Sequence, residues 1–322
     1  MKKSLLVLIM MIPVMVWSQD QATETKPWAV TGITSLTLNQ ASFSYWTAGG
    51  INSVAFSALG KYSANYKKNK FTWNNNLNLM YGMIKNQNES MKKSEDLIEL
   101  ISVAGADLSS KWAVTGYLSF KTQFAYGFDK DNDTIKISEF MAPGYLTLSP
   151  SVRFKPNDHF YILLSPATAK FTFVADQLLA DKGSFGVTPA EYDTVEGSYV
   201  KVKDGENVLV YLGPFMEIYF KKELVKNFTY ETRFNALYTL LNRDNLEAYD
   251  ADLSWENYLN YQIAKYFSVN LLLHFVYLPG QPAIKFDNYE GAVRVKAIPN
   301  RHIQIKETIG IGISYTFPTE KK

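Results

Sequence analysis

The chain has 322 residues and carries 33 Lys and Arg against 31 Asp and Glu, a formal net charge of +2 that leaves no electrostatic footprint for nucleic acid. Cysteine is absent, which removes disulfide frameworks, thiolate metal sites, cysteine nucleophiles and a lipid-modified cysteine. Aromatic residues are abundant, with 21 Tyr, 20 Phe and 6 Trp, at a mean hydropathy of only -0.15, as expected where every second residue of a strand faces an apolar medium.

The start, Met1-Lys2-Lys3, leads into an apolar run from Leu5 to Trp17 and then Ser18-Gln19-Asp20. A basic beginning, a short apolar stretch and small residues before a cut make a secretory signal peptide, cleaved between Ser18 and Gln19. The run is too short to span about 30 Å of hydrocarbon as a helix, and no later stretch reaches the roughly 18 apolar residues that a membrane helix needs.

From residue 28 onward the dominant period is two. Twelve strands are expected, at 28–40, 51–66, 70–84, 95–108, 112–128, 137–154, 159–174, 207–221, 225–241, 250–263, 266–278 and 302–317. In the third, Phe71, Trp73, Leu77, Leu79, Tyr81 and Met83 share one parity and Thr72, Asn74, Asn76 and Asn78 the other, with Asn75 the exception on the apolar side. In the fourth, Glu95 to Leu100 also suits the start of a helix. The fifth sets Trp112, Val114, Leu118 and Phe120 against Thr115, Ser119, Lys121 and Gln123, and the last sets Ile305, Ile309, Ile311 and Ile313 against Gln304, Lys306, Thr308 and Ser314. Glu307 falls on the apolar parity, near the outer interface, where a charge costs little.

The links alternate. Short ones at 67–69, 109–111, 155–158, 222–224 and 264–265 each carry a lysine, and long ones fall at 41–50, 85–94, 129–136, 175–206, 242–249 and 279–301. A soluble sandwich has strands of about 5–6 residues and no reason to sort its loops by length. Long strands with tight turns at one end and long loops at the other describe an all-β, transmembrane, antiparallel up-and-down barrel of about twelve strands. The expected organisation is a signal peptide at 1–18, a short periplasmic segment at 19–27, the barrel at 28–317 and a tail at 318–322. Outer-membrane lipid is then its surroundings. Gly310, Gly312, Tyr315 and Phe317 resemble the C-terminal signal read by the barrel-assembly machinery, although here a short tail follows the aromatic.

Three stretches carry a family resemblance: Phe71-Thr72-Trp73-Asn74-Asn75 with Tyr81-Gly82, Lys121-Thr122-Gln123-Phe124 with Gly127-Phe128, and Ile137 to Pro143. Leu164-Ser165-Pro166 with Lys170 fits as well. Together they resemble an uncharacterised domain-of-unknown-function family of Bacteroidetes outer-membrane proteins, over nearly all of the mature chain. The resemblance implies a barrel fold and a location, and no catalytic residues.

Candidate chemistry is sparse. No catalytic, cofactor-binding or metal-binding set is assigned, and no cofactor is expected. His274 shares the lumen parity with Asn270 and Ser268, but no G-x-S-x-G elbow accompanies it; a lipid-acting enzyme would make His274→Ala abolish an activity. Asp129-Lys130-Asp131-Asn132-Asp133 spaces its carboxylates like a calcium loop, then has Thr134 and Phe140 where that loop requires glycine and glutamate. The link 175–206 is rich in acids; Asp176 to Lys182 suits a helical turn stopped by Gly183, and the link either folds over or into the outer mouth or stays a mobile surface loop.

The candidate lumen-lining residues are Lys121, Arg153, Glu217, Glu231, Arg233, Glu256, His274 and Lys306. Their mixed signs allow two readings: a small pore or gated channel for polar solutes, with Lys121, Arg153, Glu231 and Arg233 setting selectivity, or a barrel sealed by acid–base pairs that acts through the 175–206 and 279–301 loops. The solute and the oligomeric state are not legible in the sequence.

Overall fold

The computed structural model describes residues 27–41, 52–129, 134–195, 198–240, 251–279, 283–289, 292–298 and 302–317. The expected signal peptide, nearly all of the expected periplasmic segment, the tail at 318–322 and residues 130–133 of the calcium-like loop lie outside the described residues.

Twelve antiparallel strands close into a barrel. In chain order they are β1 (Trp28–Ala41), β2 (Ser53–Lys68), β3 (Phe71–Asn86), β4 (Lys92–Asp107), β5 (Trp112–Thr122), β8 (Gly144–Asn157), β9 (Phe160–Phe173), β12 (Val208–Val225), β13 (Phe228–Tyr238), β14 (Ala251–Ala264), β15 (Phe267–Tyr277) and β18 (Gln304–Phe317). Three hairpins at the long-loop end complete the list: β6 (Gly127–Phe128) with β7 (Lys136–Ser138), β10 (Glu191–Val195) with β11 (Ser198–Lys203), and β16 (Ala283–Tyr289) with β17 (Ala292–Ile298). The intervening numbers belong to these hairpins, so each barrel strand pairs with the barrel strands next to it in the chain. β1 closes the ring on β18 with Gly32 opposite Phe317 and Thr37 opposite Gly312. At that seam glycine is required, because a Cβ on Gly312 would stand 2.1 Å from the Leu36 carbonyl oxygen.

The charged run Lys92 to Glu95 opens strand β4, so the helical alternative for Glu95 to Leu100 is not realised. Two boundaries also move. β5 ends at Thr122 and β8 begins at Gly144, whereas the alternation in the sequence continues to 128 and starts at 137. The extra extended residues form the rim hairpin β6–β7 instead, since period two specifies an extended chain and not its partner.

The outward parity is apolar and uncovered: Leu36 is 62% exposed, Leu38 70% and Ile311 61%. Contiguous apolar surface of this kind has no place on a monomer in water. Barrel strands of 11 to 18 residues exceed the roughly 9–11 that cross a bilayer at a tilt. Aromatic rings gather at the tight-turn end, where Trp28 meets Tyr66 at 5.1 Å and Trp73 at 5.7 Å, Trp112 meets Phe154 at 4.7 Å and Tyr266 meets Tyr315 at 6.3 Å. Amphipathic rings in such a band sit at a headgroup interface. Asn75, the polar exception on this face, accepts from the Ser102 hydroxyl at 2.8 Å, and that hydroxyl in turn accepts from the Trp73 indole at 2.8 Å, so the three satisfy one another. Among the described residues no helix is long and apolar enough to cross a membrane. The crossing is made by strands, and the fold is a transmembrane barrel.

The long link after β9 is folded. Helix α1 (Gln177–Asp181) is capped by the Asp176 carboxylate, which accepts from the Leu179 N–H at 2.8 Å. It ends before Gly183 at φ 69, the left-handed conformation that glycine adopts without strain. Leu179, Ala180 and Val187 pack with Ala142 and Val174 in a small apolar cluster of their own at the rim. Asp181 ties the hairpin β10–β11 to this cluster by accepting from the Lys201 ammonium at 2.8 Å and the Gly205 N–H at 2.9 Å. Partial burial raises the Asp181 carboxyl, yet these donors and the Gln177 amide outweigh it and hold the group down at about 2. The Lys136 ammonium also binds the Asp176 carboxylate, which joins the β6–β7 hairpin to the same cap.

Candidate functional site

Among the described residues the lumen gathers charge from many strands, and side chains cross it. Glu99 on β4 lies 3.9 Å from Arg233 on β13, and Arg233 lies 3.7 Å from Glu217 on β12. Glu95 on β4 binds Lys306 on β18 and accepts from the Thr308 hydroxyl at 3.0 Å. Lys61 on β2 is 4.0 Å from Glu231 on β13, and Lys170 on β9 is 2.6 Å from Asp252 on β14. None of these pairs joins neighbouring strands except Glu217 with Arg233, so each of the others is a chord across the ring.

On one side of the chords the lumen is filled. Ile101, Val103, Tyr117, Leu163, Phe215 and Leu237 point inward from β4, β5, β9, β12 and β13 and form an apolar core inside the barrel. Glu217 is fully buried beside them, accepting from the Tyr161 hydroxyl at 2.6 Å and the Tyr117 hydroxyl at 3.3 Å. A buried carboxylate needs such donors and a cation, because desolvation of the charge would otherwise exclude it.

On the other side lies a chamber of about 200 Å³. Its wall includes Lys61, Lys121, Arg233 and Lys306, the acids Glu95, Glu99, Glu231 and Glu256, and His274. With a water occupying about 30 Å³ in the liquid, the space suits a small cluster of waters or a solute of a few heavy atoms.

The eight sequence candidates thus separate. Lys121, Glu231, Arg233, Glu256, His274 and Lys306 line the chamber. Glu217 faces inward but is sealed in the packed side. Arg153 is inward and 7% exposed, yet it sits away from the chamber near the tight turns, 3.5 Å from Asp107 and donating to the Thr72 hydroxyl at 3.1 Å. It is not part of the chamber lining shared by the other candidates proposed to set selectivity.

The sequence reading missed Lys61, Glu95 and Glu99, which share the inward parity of their strands with Ser57, Ser63 and Ile101. It also missed that the inward parity is partly apolar. The signal was available in β4, where Leu97, Ile101 and Val103 on one parity match Ile98 and Leu100 on the other, a strand without polar contrast.

His274 accepts from or donates to the Ser254 hydroxyl through Nε2 at 2.9 Å, and Glu256 stands 3.6 Å from the same nitrogen. In a relay the acid holds the opposite ring nitrogen. Among the described residues no three His, Asp or Glu side chains converge as metal ligands.

Solved structures share the barrel plan at low similarity. The COG4313 outer membrane channel from Pseudomonas putida F1 is 10% identical, with 93% of this chain and 99% of that one covered at a TM-score of 0.38. The translocator domain of autotransporter NalP from Neisseria meningitidis is 10% identical, with 91% and 90% covered at 0.32. The Ralstonia pickettii toluene transporter TbuX is 10% identical, with 92% and 79% covered at 0.29. Scores this low carry no functional inference. No curated protein matches the chain. Residues 38–128, from the end of β1 through β6, match the family described as a protein of unknown function (DUF3078), a shorter span than the nearly complete one expected from the sequence, and one that lends no activity.

Proposed function

We propose that the protein is an outer-membrane barrel that passes small polar solutes through a gated lumen. The observation that carries this reading is the chamber: charged groups from β2, β4, β5, β13, β14 and β18 and the His274 imidazole of β15 surround about 200 Å³, while chords close the space around it. A pore of this kind conducts only when chords part, so gating follows from the same contacts. The chamber chords Glu95–Lys306 and Lys61–Glu231 are the movable ones, because the Lys306 and Lys61 side chains are long, flexible and more exposed than the buried Arg233. In this reading His274 is a hydrogen-bonding residue of the wall and not a catalyst. The signal peptide and the terminal aromatic strand support export and insertion by the barrel-assembly machinery, and the family resemblance supports a Bacteroidetes host.

Planar-bilayer recording tests it. Wild-type barrels should show a small, mostly closed conductance, and Lys306→Ala with Lys61→Ala should raise the open time several-fold. Folded barrels that conduct in neither form would overturn the reading. They would favour a sealed barrel working through its surface loops, for which the folded cap around Asp181 is the supporting observation.

A further inference from the structure

Not every charge of the chamber has a direct partner within the protein. Among its cations, Lys306 is held by Glu95, Arg233 lies between Glu99 and Glu217, and Lys61 stands 4.0 Å from Glu231 and 3.7 Å from the centre of the Tyr258 ring. Lys121, which lines the same space, makes no hydrogen bond or ion pair among the described residues. Among the acids, Glu99 accepts from the Asn78 amide at 2.8 Å, and Glu231 has Lys221 at 3.3 Å and the Tyr219 hydroxyl at 3.2 Å. The Glu256 carboxylate has His274 Nε2 at 3.6 Å, a nitrogen already bonded to Ser254, and it attracts the Lys121 ammonium from beyond ion-pair distance.

A second observation points the same way. Ser35 lines the chamber and is 2% exposed, yet its hydroxyl has no hydrogen-bond partner. A buried hydroxyl without a partner is costly, so the space suits a polar occupant. One ammonium and one carboxylate thus lack a direct partner, and they attract each other across the space without closing an ion pair. An anion would satisfy Lys121 and leave Glu256, and a cation would do the reverse. Only a molecule bearing both charges satisfies both walls, and it adds no net charge to a lumen inside a membrane.

We propose that the chamber binds a small zwitterion of the amino-acid type, its carboxylate toward Lys121 and the Ser35 hydroxyl and its ammonium toward Glu256. The inference rests on the solute-channel reading for the route of entry, but binding and passage are read separately.

The test is calorimetric titration of the full refolded barrel in detergent micelles with β-alanine, propionate and propylamine, three probes of similar size that carry both charges, the negative one and the positive one. β-Alanine should bind at least about tenfold more tightly than either single-charge probe, a difference of about 1.4 kcal/mol. Lys121→Gln and Glu256→Gln should each reduce it to the level of the controls, while Lys121→Arg retains most of the preference. Heat-modifiable migration on gels confirms that each variant is folded. Equal binding of all three probes, no binding of β-alanine, or a preference indifferent to both Gln substitutions would overturn the proposal. Binding of β-alanine by barrels that never conduct would sustain the site and sink the channel. Conductance without that binding would sink the site and leave the channel standing.

Discussion

The two sides of the lumen are built from the same alternating strands and solve the same problem differently. Around Glu217 the interior is closed like a globular core, with Leu163 and Glu217 fully buried and the lone carboxylate satisfied by two tyrosines and an arginine. Around Lys121 and Glu256 the interior is roomier, and these two charged side chains face a shared space without a direct ion pair between them. An inward-facing position in a barrel is therefore not polar by rule. What decides its character is whether the opposing wall comes close enough to exclude water, and in this chain the chords from β4 to β13 and β18 mark that boundary.

The sharpest way to break this contrast is to remove one cation from each side. Arg233→Met leaves Glu217 buried without its charge partner and should cost about 3–5 kcal/mol in urea unfolding of vesicle-inserted barrels. Adding Glu217→Gln should recover much of that loss. Lys121→Gln should change stability by less than about 1 kcal/mol, because its ammonium makes no direct hydrogen bond or ion pair that the substitution would break. Equal costs on the two sides would mean that the interior is uniform.

Truncation inside the packed side comes next. Leu163→Ala should cost about 2–5 kcal/mol by opening a cavity, the response of a core and not of a water-filled pore. A cost near zero would show that water already reaches Leu163. On the opposite face of the wall, Ile311→Arg should cost about 2–4 kcal/mol if hydrocarbon is its solvent and almost nothing if it is exposed to water.

The smallest effect belongs to the cap. The Asp181 carboxyl is held at about 2, below its unfolded value near 3.9, so its contribution is complete above pH 4 and is lost as the pH falls toward 2. Hydrogen exchange should show residues 176–206 losing protection across that window while β12 and β13 stay protected. Asp181→Asn should remove the transition. Loss of protection in cap and barrel together would make the cap an integral part of the wall.

Much of the architecture was legible because the bilayer imposes a simple pattern. Trp112, Val114, Leu118 and Phe120 against Thr115, Ser119 and Lys121 is enough to place β5 and to orient it. Alternation of loop lengths then orders the strands into a ring, and the caps of α1 at Asp176 and Gly183 follow from local backbone preferences. The chamber was only half legible. Parity puts Lys121, Glu256, His274 and Lys306 indoors, but the partners they find depend on closure of the ring: Glu95 meets Lys306 across 211 residues of chain, and Glu99 meets Arg233 between strands that never pair. The rim hairpin β6–β7 was lost for a related reason, since Phe124, Tyr126 and Phe128 continue the alternation past the point where the barrel strand stops.

The central claim, a lumen packed on one side and open on the other within a hydrocarbon-facing wall, is tested most directly by single cysteines, which the native chain lacks. A small water-soluble thiol reagent should label Lys121→Cys and His274→Cys rapidly in vesicle-inserted barrels and leave Leu163→Cys and Leu237→Cys unlabelled. A fluorophore on Ile311→Cys should be quenched by brominated lipid. Labelling of the Leu163 and Leu237 positions as fast as that of Lys121, or an Ile311 label indifferent to the lipid, would contradict the account.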